Sequence, residues 1–204
     1  AAVLSKFLWG RGITVEKTNL YSVLFLFSMG ITKGKWSTLV TELMAFKELY
    51  DRNAPLGQAL PTLAADHPHA YAGWGLRDLC DALHAFNQEF AVARVMRGMY
   101  VDLPTPVMTP ADAYDHLVKG EIERVDIERL SGRIAATMLV PYPPGIPTIM
   151  PGERFGASDE PIIQSLRIAR EQSARFPGFE SDVHGLIIEH DGDVPAYKVE
   201  VLKA

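Results

Sequence analysis

Val3, Leu4, Phe7 and Leu8 fall on one face of a helix over residues 1–10, and Gly12 follows as its C-cap. Ile13 and Val15 alternate with Thr14 and Glu16, which predicts a short strand. Residues 21–28 (YSVLFLFS) are apolar with almost no alternation, the pattern of a strand covered on both sides. Thr32 can cap the next helix, in which Trp36, Leu39, Val40, Leu43, Met44 and Tyr50 recur with a helical period. A helix, strands and a long amphipathic helix within residues 1–53 read as one α+β subdomain or part of one.

Residues 54–74 are rich in Ala, Pro, His and Gly, which places a boundary near 54. Leu76, Leu79, Cys80, Leu83 and Phe90 mark another amphipathic helix. Thr109-Pro110-Ala111-Asp112 has the form of a helix start, with a cap, a proline at the first helical position and an acid at the third. Ile122, Val125 and Ile127 alternate with charges and predict a half-exposed strand, and residues 134–140 predict a more buried one. Residues 141–147 (PYPPGIP) form a stiff segment with few backbone donors. A helix starting at Ser158 or Asp159 turns Ile162, Leu166, Ala169 and Phe176 inward. Residues 183–190 and 196–202 flank a turn at Gly192 and read as a terminal hairpin. The class is α+β, and the second part carries a mainly antiparallel sheet.

Composition narrows the function classes. The 204 residues carry 20 Lys+Arg against 25 Asp+Glu, a net charge of −5, which argues against broad nucleic-acid or anionic-membrane binding. The longest apolar run, residues 23–27, falls far short of the roughly 20 residues that a membrane span needs. A single cysteine, Cys80, excludes an internal disulfide and fits the reducing cytoplasm. The chain opens at Ala1, without an initiator Met, on residues that read as the last turns of a helix already under way. That start predicts a piece of a longer polypeptide.

Most chemistry-bearing patterns read as ordinary structure. Residues 30–37 (GITKGKWS) follow an apolar segment and open a helix, as a phosphate loop does. Three residues separate the glycines where such a loop has four, and Trp36 stands where a metal-binding hydroxyl belongs. His67-Pro68-His69 lacks the further ligands that a zinc site recruits. Cys80 sits on an apolar helix face with His84 one turn on and no third group. His184 and His190 would share one side of an unbroken strand. Two residues stand out. Glu16, opposite in pleat to Ile13 and Val15, could receive a cationic group. Tyr142 is held between prolines, which could aim its phenol.

Six segments, in order, carry a family resemblance: 15–18 (VEKT), 24–36 (LFLFSMGITKGKW), 132–136 (GRIAA), 141–147 (PYPPGIP), 150–153 (MPGE) and 176–180 (FPGFE). Together they resemble the C-terminal third of the bacterial ornithine/lysine/arginine decarboxylases, pyridoxal-phosphate enzymes of the aspartate-aminotransferase fold. The resemblance implies that residues 1–53 are the end of an aminotransferase-like small domain and residues 54–204 the family's own C-terminal domain. It implies loss of the α-carboxylate of lysine, arginine or ornithine as CO2, with the cofactor supplying the electron sink. The family's Schiff-base lysine follows a Ser-x-His motif, and no Ser-x-His-Lys occurs here. The resemblance therefore implies that pyridoxal phosphate is bound upstream, that this chain holds no catalytic, cofactor-binding or metal-ligating residue, and that it is inactive alone.

Two substrate-binding positions carry over. Glu16 matches an acidic position that lies near the distal amine of the substrate in lysine-type members, and Tyr142 matches a tyrosine at the active-site entrance. The partners implied are the upstream part of the same cytoplasmic enzyme, a homodimer that assembles into a larger ring, and a basic amino acid. Nucleic acid and membrane are not among them. The alternative is a non-catalytic assembly or interaction module derived from the same domain.

Overall fold

A computed structural model describes residues 1–142, 145–189 and 195–203. The chain packs as two compact units, Ala1–Glu89 with Phe176–Phe179, and Phe90–Arg175 with Glu180–Ala204. Both combine helices with antiparallel strand pairs, as the α+β class requires.

The first unit runs α1 (Ala2–Trp9), β1 (Lys17–Thr18), β2 (Val23–Leu24), α2 (Lys33–Asp51), α3 (Leu56–Ala59), α4 (Pro61–Asp66) and α5 (Leu76–Glu89). In α1, Val3, Phe7 and Leu8 are buried, as the spacing predicts. Gly12 closes the end through two bonds: Ile13 N–H donates to the Leu8 carbonyl and Gly12 N–H to that of Trp9, both at 3.0 Å. Arg11 then ties α1 to α2, since its Nε lies 2.8 Å from the Glu42 carboxylate and its guanidinium 3.4 Å from the Phe7 ring centroid. Helix α2 starts after Thr32, which makes no side-chain cap bond. Phe46 meets Phe7 edge-on at 5.2 Å and Leu49 is buried, but Trp36, Val40 and Met44, one turn apart, stay exposed.

The apolar run 21–28 differs from its expected form. It contributes only the two-residue strand β2, paired with β1 through Lys17↔Leu24 and Thr18↔Val23. It is not buried on two sides: Leu26, Phe27 and Met29 are well exposed. A two-residue ladder gives the run one short neighbour and no sheet on which to stack. The strand expected around Ile13 and Val15 likewise begins only at Lys17, although the alternation is kept in burial, with Ile13 and Val15 half-buried and Thr14 and Glu16 exposed.

Packing runs through residue 54 without a break. Ala54 N–H donates to the Leu49 carbonyl and Leu76 N–H to that of Ala54, both at 2.8 Å. The Ala- and Pro-rich stretch buries Leu56, Ala59, Leu60 and Leu63, and the Tyr71 phenol donates to the Pro177 carbonyl at 2.8 Å. Asn53 caps α5 from outside the helix, its amide oxygen accepting from the backbone of Arg77 at 2.9 Å and Asp78 at 3.3 Å. Phe86 packs edge-on to Phe176 at 5.7 Å. The compact units thus divide between Glu89 and Phe90, beyond the composition shift at 54.

The second unit runs α6 (Val92–Gly98), β3 (Thr105–Pro106), α7 (Pro110–Val118), β4 (Ile122–Asp126), a 3-10 turn at Ile127–Arg129, β5 (Val140–Tyr142), β6 (Glu153–Arg154), α8 (Pro161–Arg175), β7 (Asp182–His184), β8 (Leu186–Glu189) and β9 (Ala196–Leu202). Helix α7 starts on a full capping box: the Thr109 hydroxyl accepts from Asp112 N–H and the Asp112 carboxylate from Thr109 N–H. An antiparallel sheet in the order β4-β9-β8 is the centre of the unit. Tyr197, Val199 and Val201 of β9 turn inward to a core shared with Ile162, Ile163 and Leu166 of α8 and with Phe155. The other face carries charge, with Arg124 and Glu200 opposite each other in register, 3.3 Å apart.

Two expected strands are divided among several partners. Residues 134–140 bury Ala135, Ala136 and Leu139 but form no continuous ladder before β5. Ala135 N–H donates to Glu153, Ala136 to Glu200 and Leu139 to Ile149, so each step meets a different segment. The first arm of the terminal hairpin breaks at Gly185, whose φ of +88° only glycine adopts readily. A side chain there would also meet the Met138 carbonyl at 2.1 Å. Before the break β7 pairs with β5, and after it β8 pairs with β9. His184 therefore does not sit on an unbroken strand leading to His190, which with the Gly192 turn lies outside the described residues.

Glu128 joins the 3-10 turn to α8, with oxygens 2.7 Å from Arg167 and 2.6 Å from Arg170. Burial alone pushes the Glu128 carboxyl up, but the bonds from Arg167 and Arg170 outweigh it and hold the carboxyl below the usual glutamate range. The fold thus favours the ionised form. That stabilisation is complete above the ordinary glutamate range and is lost as pH falls through the depressed folded value. With the pair partly solvated it is worth at most about 1 kcal/mol. Urea unfolding should show Glu128→Gln less stable than the parent at neutral pH, with the gap closing on acidification. A gap that does not change with pH would refute the assignment.

Candidate functional site

Glu16 leads into the β1–β2 ladder, and its backbone N–H donates to the Leu24 carbonyl at 2.9 Å. That bond fixes the main chain and leaves the side chain on the exposed side of the alternation. Among the described residues no hydrogen bond or ion pair engages its carboxylate. An exposed carboxylate on a fixed main chain, with no partner among the described residues, can pair with a cation through a charge-assisted contact.

Tyr142 ends β5, where the ladder sets it opposite Asp182 of β7. Tyr142 is 62% exposed, so the residue is presented to solvent rather than packed into the core. Pro141 on one side is described; the two prolines that follow Tyr142 lie outside the described residues. Beyond them Gly145 N–H donates to the Pro141 carbonyl at 2.9 Å. Glu16 belongs to the first unit and Tyr142 to the second.

The remaining sequence candidates have structural surroundings. Gly34 is the second residue of α2, not part of a loop, so no phosphate cradle exists between Gly30 and Ser37. His67 lies edge-on to Tyr71 at 6.4 Å, and His84 edge-on to Tyr21 at 5.8 Å. Burial pushes the Cys80 thiol up to about 11, which leaves almost no thiolate at neutral pH. His184 is paired at 3.7 Å with Asp182 on the surface. Among the described residues no cluster of three or more His, Cys, Asp and Glu could hold a metal ion. Nor is any helix there long and apolar enough to cross a membrane.

Pyridoxal phosphate requires a lysine amine sheltered beside its ring. No lysine is buried among the described residues: Lys198 is engaged by Glu189, Lys47 by Asp51, and Lys203 by the Gly120 carbonyl. These residues do not fit the cofactor. Sequence reading missed two residues around Tyr142. Tyr100 donates its phenol to the Ile146 carbonyl at 3.4 Å, and Gly145 approaches the Tyr142 ring. Only the glycine inside a proline-rich segment could have signalled the second, and nothing in the sequence signals the first.

Residues 93–203 match the model of the Orn/Lys/Arg decarboxylase C-terminal domain. The chain belongs to this family. Its relatives among the Orn/Lys/Arg decarboxylases include lysine decarboxylase LdcA of Pseudomonas aeruginosa, 57% identical over 100% of this chain and 27% of that protein. The biodegradative arginine decarboxylase of Escherichia coli is 42% identical over 91% of this chain and 24% of that protein. The solved structure of lysine decarboxylase A from P. aeruginosa superposes with a TM-score of 0.93, covering 100% of this chain and 27% of that one. The E. coli constitutive lysine decarboxylase gives 0.91 at 39% identity, covering 99% and 28%. The chain thus spans about a quarter of the length of the decarboxylases it matches and corresponds to their C-terminal portion.

Proposed function

We propose that this chain is the C-terminal part of a pyridoxal-phosphate-dependent decarboxylase that converts a basic amino acid to its amine and CO2. The observation that carries this is the match along the whole chain to lysine decarboxylases, with arginine and ornithine decarboxylases matched over 91% and 94% of it. The 57% identity to a lysine decarboxylase favours lysine among the three. In this reading residues 1–53 are the end of the small aminotransferase-like domain and residues 54–204 the family's C-terminal domain.

The reaction breaks the bond between Cα and the carboxylate; CO2 leaves and a proton takes its place. This chain's part is selection. Glu16 pairs with the distal ammonium, a charge-assisted contact that a neutral side chain cannot make. Tyr142 lines the entrance. The cofactor and its lysine reside in the upstream part, a reading supported by the lack of a Ser-x-His-Lys motif in this sequence. The same upstream part covers the exposed apolar residues of the first unit, Leu26, Phe27 and Met29 and the solvent-facing Trp36, Val40 and Met44 of α2. A cytoplasmic homodimer that associates into a ring completes the proposal.

The full-length polypeptide supplied with lysine, arginine or ornithine should form the corresponding amine, and the 204-residue chain should form none. A full-length polypeptide inert towards all three would leave the non-catalytic assembly module as the reading.

A further inference from the structure

Among the described residues no hydrogen bond anchors the Tyr142 hydroxyl, yet Gly145 lies against its ring. Gly145 has a φ of +77°, and a Cβ built on it would lie 3.2 and 3.3 Å from two Tyr142 ring carbons, Cδ2 and Cε2. Gly145 therefore lies beside the Cδ2–Cε2 bond of the phenol ring, so close that a side chain there would force the ring to give by a few tenths of an ångström. Three further contacts hold that backbone. Gly145 N–H donates to the Pro141 carbonyl at 2.9 Å, β5 is paired to β7 up to Tyr142↔Asp182, and the Tyr100 phenol donates to the carbonyl of Ile146, the next residue, at 3.4 Å. Tyr100 is half-buried, and burial pushes its phenol up, so it remains a donor at physiological pH.

We infer that Gly145 is a positioning residue for Tyr142: its missing side chain leaves the room in which the phenol ring sits, and Tyr100 holds the adjoining backbone through the Ile146 carbonyl. This rests on the reading of Tyr142 as a residue at the substrate entrance. The role is one of orientation alone, because neither Gly145 nor Tyr100 presents a group to the reacting bond. A methyl at Gly145 meets the ring below ordinary contact distance and disfavours the φ the turn needs, so the ring leaves its rotamer.

The test compares steady-state kinetics of the full-length polypeptide with lysine for Tyr142→Ala, Gly145→Ala, Tyr100→Phe and the two double variants with Tyr142→Ala. Gly145→Ala should raise KM about 3- to 10-fold, the range an off-rotamer side chain produces, with kcat within about 2-fold. Tyr100→Phe should raise KM in the same direction by less. Both effects should vanish in the Tyr142→Ala background, which a merely structural lesion would not do. An unchanged KM in Gly145→Ala, or an effect that persists without the Tyr142 ring, overturns the inference while the entrance role of Tyr142 stands. Tyr142→Ala with parental kinetics overturns the entrance reading itself, and the inference with it.

Discussion

Replacing Glu16 by glutamine in the full-length polypeptide is expected to lower kcat/KM for lysine by about two to three orders of magnitude, the cost of leaving one partner of an enclosed charge pair unmatched. Glutamine keeps the size of the side chain and removes only the charge. The backbone at this position is held by the bond to Leu24, so the variant should not disturb the ladder. Norleucine, which has no distal ammonium, supplies the control. Its poor turnover should be unchanged or improved in Glu16→Gln, so that the lysine-to-norleucine ratio collapses. Equal kcat/KM for lysine in parent and variant would remove Glu16 from the site.

The second large effect concerns the frame that presents Tyr142. Phe155 is 1% exposed and lies in the core between the β4-β9-β8 sheet and α8. Its backbone is tied on both sides, with Phe155 N–H donating to Arg133 and its carbonyl accepting from Gly132, both at 2.9 Å. The site cannot collapse onto a truncated side chain while its main chain is fixed in this way. Phe155→Ala should therefore cost about 3–5 kcal/mol, the lost burial plus a residual cavity. All three tryptophans, Trp9, Trp36 and Trp74, lie in the other unit, so their fluorescence would miss the change. Hydrogen exchange at the Val199 and Val201 amides reads it directly, as a fall in the opening free energy of β9. A loss below about 1 kcal/mol would mean that the core repacks freely around position 155.

Local chemistry was the most legible part of the sequence. The capping box at Thr109 and Asp112, the glycine closure after α1 and the inward face of α8 each depend on residues within about one helical turn of one another and are found. In α5 Leu76 and Leu79 are buried as expected, Cys80 and Leu83 only half so, and Phe86 takes the place expected of Phe90, which lies beyond the helix. Tertiary partners were less legible. The run at residues 21–28 has a buried strand's composition, but burial requires a second layer, and a pattern of side chains does not state where that layer comes from. Of residues 134–140, Ala135, Ala136 and Leu139 are buried while Met138 is exposed, and their backbone bonds go to three separate segments, which no local periodicity encodes. At Gly185 a single left-handed residue sends one expected strand to two sheets. The candidate site shows the same divide. Glu16 was readable because alternation put an acid on the outer side of an apolar pair, and Tyr142 because prolines flank it. Of the two residues placed around Tyr142, Gly145 was signalled only by a glycine inside a proline-rich segment, and Tyr100, 42 positions upstream of Tyr142, by nothing.

The most direct measurement follows the carboxyl carbon. Full-length polypeptide, loaded with pyridoxal phosphate, is given carboxyl-labelled lysine, arginine or ornithine, and labelled CO2 and amine are counted together. The account predicts labelled CO2 and amine in equal amounts from at least one of the three, lysine foremost, and neither product from the 204-residue chain given the same cofactor. Amine and labelled CO2 from the 204-residue chain by itself, or a full-length protein that leaves all three amino acids intact, would contradict it.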